Sequence, residues 1–109
     1  MKEITVTLQR TYQVLVAIDE TIVTESALEG IERFYDSEIF DDPYDPNDVL
    51  QCKSKYERGL YNFAEAAARA HTGEEVEYIN LDKHYVFTET LNYDVDTEFT
   101  KMEDVDYEI

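Results

Sequence analysis

The residues best placed to do chemistry are carboxylates set two apart. In Leu91-Asn92-Tyr93-Asp94-Val95-Asp96-Thr97-Glu98-Phe99 polar and apolar residues alternate. In an extended strand that period of two sends Asn92, Asp94, Asp96 and Glu98 to one face. Alternate strand residues stand about 6.6–6.8 Å apart, a separation of the same order as that of successive phosphates along one nucleic-acid strand. A row of three carboxylates can therefore imitate a row of phosphates before a lysine- and arginine-rich surface. Asp104, Asp106 and Glu108 repeat the device against Val105, Tyr107 and Ile109. Glu74, Glu75 and Glu77 add charge to the same third of the chain, and Tyr93 and Tyr107 can supply desolvated contact area beside it. The expected partner-binding surface is thus Asp94, Asp96, Glu98, Asp104, Asp106, Glu108, Tyr93, Tyr107, Glu74, Glu75 and Glu77.

Other chemistries fit less well. The run Asp41-Asp42-Pro43-Tyr44-Asp45-Pro46-Asn47-Asp48 offers hard oxygens but lacks the glycine and the distant glutamate of a calcium loop. Turn and cap formation accounts for it. His71 and His84 are the only histidines and have no cysteine set or HExxH spacing with them, so no zinc site is expected. Cys52, the lone cysteine, falls on an apolar stripe, where it reads as a small buried hydrophobe and not a nucleophile. Gly30, Gly59 and Gly73 are scattered, which leaves no glycine-rich phosphate loop. The chain is expected to be no enzyme and to need neither cofactor nor metal.

The charge points the same way. Among 109 residues, 26 are acidic and nine basic, for a formal charge of -17. The excess is regional: residues 1–45 carry -8, residues 46–71 carry +1 and residues 72–109 carry -10. Direct contact with nucleic acid or an anionic membrane would need the Lys and Arg that are missing. A basic partner, in contrast, would be steered in by the field. A single cysteine allows no intramolecular disulfide, no apolar run reaches membrane-spanning length, and the first residues read as strand and not as a leader, so a cytoplasmic protein is expected.

The elements that would position these residues follow from periodicity. Ile4, Val6 and Leu8, then Tyr12, Val14, Val16 and Ile18, read as one long strand or as two with a bulge near Arg10, the second part central in a sheet. Thr24 caps a first helix over about 24–37, with Ala27, Leu28, Ile31, Phe34 and Tyr35 inward. Asp45-Pro46 starts a longer helix over about 46–71, whose stripe is Val49, Cys52, Tyr56, Leu60, Phe63, Ala67 and Ala70, and Gly73 stops it. Further strands are expected at Val76–Leu81, at Tyr85–Phe87, at Leu91–Phe99 and at the C-terminus. The expected fold is one α+β domain over 1–109, an antiparallel sheet of about four or five strands with both helices on one face.

Short length, heavy acid excess, and tyrosines interleaved with acids, as in Tyr93-Asp94-Val95-Asp96 and Asp106-Tyr107-Glu108, make this chain resemble the small DNA-mimic inhibitors of phage and mobile elements. Those proteins block restriction enzymes, CRISPR effectors, glycosylases or nucleoid proteins. The resemblance is one of composition and style over the whole chain and carries no residue-by-residue transfer. It implies an anti-restriction or anti-CRISPR type of inhibitor in the host cytoplasm, with a basic nucleic-acid-binding protein as its partner. The alternative from another class is a non-catalytic structural or regulatory interaction module that docks through apolar contacts and uses its acids for solubility.

Overall fold

The computed structural model describes residues 2–43 and 54–104, with side chains to residue 99. The order of elements is strand β1 (Lys2–Ile18), helix α1 (Glu25–Tyr35), helix α2 (Lys55–His71) and strand β2 (Val86–Asp104). The two strands pair in an antiparallel two-stranded sheet. The protein is therefore α+β, and among the described residues it has two helices and a two-stranded sheet. The chain divides into a ribbon unit, Met1–Gln13 with Thr90–Ile109, and a helical unit, Val14–Glu89.

In the helical unit both helices begin as elementary capping requires. The Thr24 side chain accepts from the Ala27 N–H at 3.2 Å, and Ser54 accepts from the Glu57 N–H at 3.1 Å, each satisfying a donor that the first turn leaves free. Ser54 is extended, with φ -133° and ψ 160°, so α2 starts at Lys55 and not near Asp45-Pro46. Ser54-x-x-Glu57 is the stronger start signal in the sequence. The stretch around Asp45, Pro46, Val49 and Cys52 lies outside the described residues. At the far end Gly73 takes φ 104°, its N–H donating to Ala70 and that of Glu74 to Arg69, which is the Schellman termination that glycine serves best.

The core is built from Val23, Leu28, Ile39, Phe40, Phe63, Ala67 and Val86, with Val16, Ile18, Ile31, Tyr56, Leu60, Tyr78, Ile79 and Tyr85 packed against it. Leu28, Phe63 and Ala67 come from the expected helical stripes. Phe34 does not join them: it lies about 120° around the helix from Leu28 at 100° per residue, and it is 82% exposed. Ile39 and Phe40 enter the core from the segment that follows α1. Their backbone is pinned by α2, since Arg58 Nε donates to the Phe40 carbonyl at 2.9 Å and Asn62 Nδ2 to the carbonyls of Ile39 and Asp41, each at 2.7 Å.

Two strand expectations are corrected. Val76–Leu81 forms turns, with Ile79 N–H bonded to Val76 and Lys83 N–H to Asn80, and the Asn80 side chain accepts from the Asp82 N–H at 3.0 Å. That side-chain bond offers the backbone an alternative to a strand ladder. Tyr78 and Ile79 still reach the core, which is why their apolarity mimicked a strand. Val86, Phe87 and Leu91–Phe99 belong to a single strand, with Tyr85 in the turn before it, because Thr88-Glu89-Thr90 supplies no residue that favours a turn. Nor, among the described residues, is the second half of β1 central in a sheet; there it pairs with β2 alone, and Val14, Val16 and Ile18 are half-buried.

At Gly59, α2 packs closely against Leu28 of α1 and against Phe40. A Cβ built there would lie 2.8 Å from both Leu28 Cδ1 and Phe40 Cε1, and both neighbours are buried. Gly59→Ala gains about 1 kcal/mol of helix propensity but forces a repacking that costs typically 1–3 kcal/mol, so a net loss is expected. Gly30→Ala, with nothing within 4 Å of the new methyl, should raise stability by up to about 1 kcal/mol. Urea midpoints of the two variants should move in opposite directions.

Asp19 closes β1. Its carboxylate accepts from the Thr21 hydroxyl at 2.6 Å and the Thr21 N–H at 3.0 Å, while its carbonyl accepts from Ile22 and Val23. The hydroxyl first and the amide second hold its pKa below the ordinary 3.8. A lowered carboxylate contributes stability above its ordinary pKa and loses it as pH falls through the lower folded value. The stability difference between the wild type and Asp19→Asn should therefore shift in the variant's favour as pH drops below about 4; a pH-independent difference would count against this role.

Candidate acidic interface

The ribbon unit carries the carboxylate row. On β1 the odd positions are Glu3, Thr5, Thr7, Gln9, Thr11 and Gln13, all polar, and the even ones include Ile4, Val6, Leu8 and Tyr12. On β2 the even positions are Asn92, Asp94, Asp96 and Glu98, and the odd ones Leu91, Tyr93, Val95, Thr97 and Phe99. The rings of Tyr12 and Tyr93 meet with centroids 4.6 Å apart, which places the even row of β1 and the odd row of β2 on one face. The pleat then gathers Glu3, Asp94, Asp96 and Glu98 on the other, where the remaining described residues are Thr, Gln and Asn.

Every one of these acids is exposed. Among the described residues that face holds no Lys or Arg, so its four carboxylates have no local countercharge. Asp94 is partly fixed by its own strand, its Oδ1 accepting from the Val95 N–H at 3.0 Å.

The remaining expected site residues divide. Glu74, Glu75 and Glu77 are exposed but belong to the helical unit, in the non-strand segment after α2. Glu74 is engaged: Arg69 Nη1 lies 3.3 Å from its Oε2, and Arg69 Nη2 lies 2.9 Å from Glu65 Oε1. Asp104 ends β2, whereas Asp106, Tyr107 and Glu108 lie outside the described residues. Tyr93, Val95 and Phe99, opposite the acids, are exposed as well. Alternation fixes which face a side chain takes but not whether anything covers that face.

The helical unit contributes concavities that periodicity did not reveal, and besides the one at Glu20, Thr24, Glu25 and Tyr56 two have a longer lining. One, of about 220 Å³, is lined by Ser37, Glu38, Ile39, Asn62, Glu65, Ala66, Arg69 and Tyr78. Two of its groups are committed elsewhere, Glu65 to Arg69 and Asn62 to two carbonyls, while the Ser37 Oγ is buried without a hydrogen-bond partner among the described residues. The Tyr78 hydroxyl is pushed up in pKa by burial first and by the Glu65 charge second, so it stays protonated near neutrality. The other, of about 400 Å³, has a floor of Val16, Ile18, Leu60 and Ala64, with Glu20 and Glu57 in its lining. Such a groove suits a side chain with an aliphatic stem and a cationic head.

Neither concavity assembles a nucleophile with a base. Among the described residues no three His, Cys, Asp or Glu lie together as metal ligands would, His71 Nδ1 is paired with Thr88 Oγ1 at 2.9 Å, and Cys52 lies outside them. No described helix is long and apolar enough to cross a membrane.

No family model, curated protein or solved structure matches this chain. Among the described residues the polar face of the ribbon is set apart by four exposed carboxylates and no Lys or Arg.

Proposed function

We propose that this protein is a nucleic-acid mimic that occupies the basic nucleic-acid-binding channel of a target protein, as an inhibitor of a host defence nuclease or another DNA-binding protein. The observation that carries the reading is the base-free polar face of the ribbon, on which Asp94, Asp96 and Glu98 stand in an exposed row at strand spacing. Interleaved Thr, Asn and Gln add neutral hydrogen-bonding groups that a Lys- or Arg-lined channel can also use.

The test is competition. Purified DNA-binding proteins, a restriction endonuclease and a CRISPR effector among them, are titrated with the protein while labelled duplex DNA reports occupancy. A target should lose DNA competitively, and the effect should weaken steeply with added salt, because exposed charge pairs are screened over about 8 Å at 0.15 M. A stable ternary complex with the DNA in place, or inhibition indifferent to salt, would overturn the reading.

A further inference from the structure

The opposite face of the ribbon is apolar and bare. Ile4, Val6, Leu8 and Tyr12 from β1 and Leu91, Tyr93, Val95 and Phe99 from β2 are all exposed, Ile4 by 53%, Leu91 by 61% and Phe99 by 67%. At roughly half exposure each, eight such side chains present on the order of 800 Å². That exceeds the largest apolar patch of a typical monomer, about 300–600 Å², and matches the area each partner contributes to a standard-sized stable interface, about 800 Å². A two-stranded ribbon alone is also marginal in water and gains independent stability only when its apolar face is packed.

Charge decides what covers it. The charged side chains described on this face are Lys2 and Arg10, both cationic, while Glu3, Asp94, Asp96 and Glu98 all stand on the other. A basic protein is drawn instead to the acidic side, and the long side chains of Lys2 and Arg10 can carry their charges out of an apolar contact with a second copy. Two copies of this chain, packed apolar face to apolar face at the usual sheet separation of about 10 Å, bring no described carboxylate against another and turn both acidic rows outward. We propose that the protein is an isologous homodimer closed through Ile4, Val6, Leu8, Tyr12, Val95 and Phe99, the same patch serving on both copies. This holds whether or not the outward faces mimic nucleic acid.

Sedimentation velocity of the full chain at micromolar concentration tests it. The wild type should sediment at twice the chain mass of 12.8 kDa. Val6→Asp with Val95→Asp should raise the dimer dissociation constant by at least about 100-fold, since each burial would strand two unpaired carboxylates. Thr7→Asp with Asn92→Asp, which adds the same charge to the polar face, should leave the dimer intact. Helical circular dichroism checks that the helical unit is folded in both. If the face variant unfolds, the readout passes to single cysteines in a Cys52→Ser background, where Val95→Cys should cross-link through a short bismaleimide and Asp94→Cys should not. A monomeric wild type, a face variant that remains dimeric, or equal cross-linking from both positions overturns the proposal.

Discussion

Truncating Phe63 to alanine is expected to cost about 3–5 kcal/mol, the range for a buried aromatic that leaves a cavity. Phe63 is 1% exposed and the largest fully buried side chain described. It sits in the cluster that joins α2 to Leu28 of α1, to Ile39 and Phe40, and to Val86 of β2, and its ring lies 6.2 Å from that of Tyr85. Collapse around the cavity is restricted, because Phe40 is held by Arg58 and Gly59 leaves no slack. Against a total stability of about 5–15 kcal/mol, such a loss removes a large fraction of it. With a urea slope of about 1–3 kcal/mol per molar, the midpoint should fall by at least about 1 M. Phe63→Leu, which keeps most of the volume, should cost well under half as much. Equal losses for the two variants would mean that ring volume is not what fills the site.

How much of this was legible in the sequence depends on whether a signal was local. The caps at Thr24 and Gly73 and the stripe from Tyr56 through Phe63 to Ala67 follow from spacing within a few residues, and the structure places them as read. Ile39 and Phe40 were lost in a run of Asp and Pro, because nothing local shows that Asn62 and Arg58 will tie that backbone to α2. Val76–Leu81 was misread for a related reason: its apolar residues serve a core reached through turns, and Asn80 and Asp82 were the overlooked turn residues. The acidic row was legible because strand alternation alone decides its face. The bare apolar row beside it was not, since alternation is silent on whether a third strand or a helix lies opposite.

Replacing Asp94, Asp96 and Glu98 by Asn, Asn and Gln should spare the fold and sharply weaken binding to a basic target. Size and hydrogen-bonding shape are kept while three charges go. The three side chains are exposed, so no buried contact is lost, and in a chain of formal charge -17 relieved repulsion should leave stability unchanged or raised. Binding is another matter. Close charge pairs across an interface couple by about 1.5–7 kcal/mol, against about 0.2–1 kcal/mol for pairs left in solvent. If even one of the three is desolvated in the complex and the others remain at the rim, a loss of at least about 2 kcal/mol is expected, which is roughly 30-fold in affinity. The matched comparison is Asp41, Asp42 and Asp45 changed to Asn. It removes the same net charge from the segment beyond Ile39 and Phe40, where the Asp42 carboxylate stands 3.8 Å from Arg58 Nε and is 90% exposed. A position-specific site loses affinity with the first triple and keeps most of it with the second, the difference persisting as salt is raised. Equal losses would show that bulk charge alone draws the target in, and normal binding by the strand triple would remove the ribbon's acidic face from the interface.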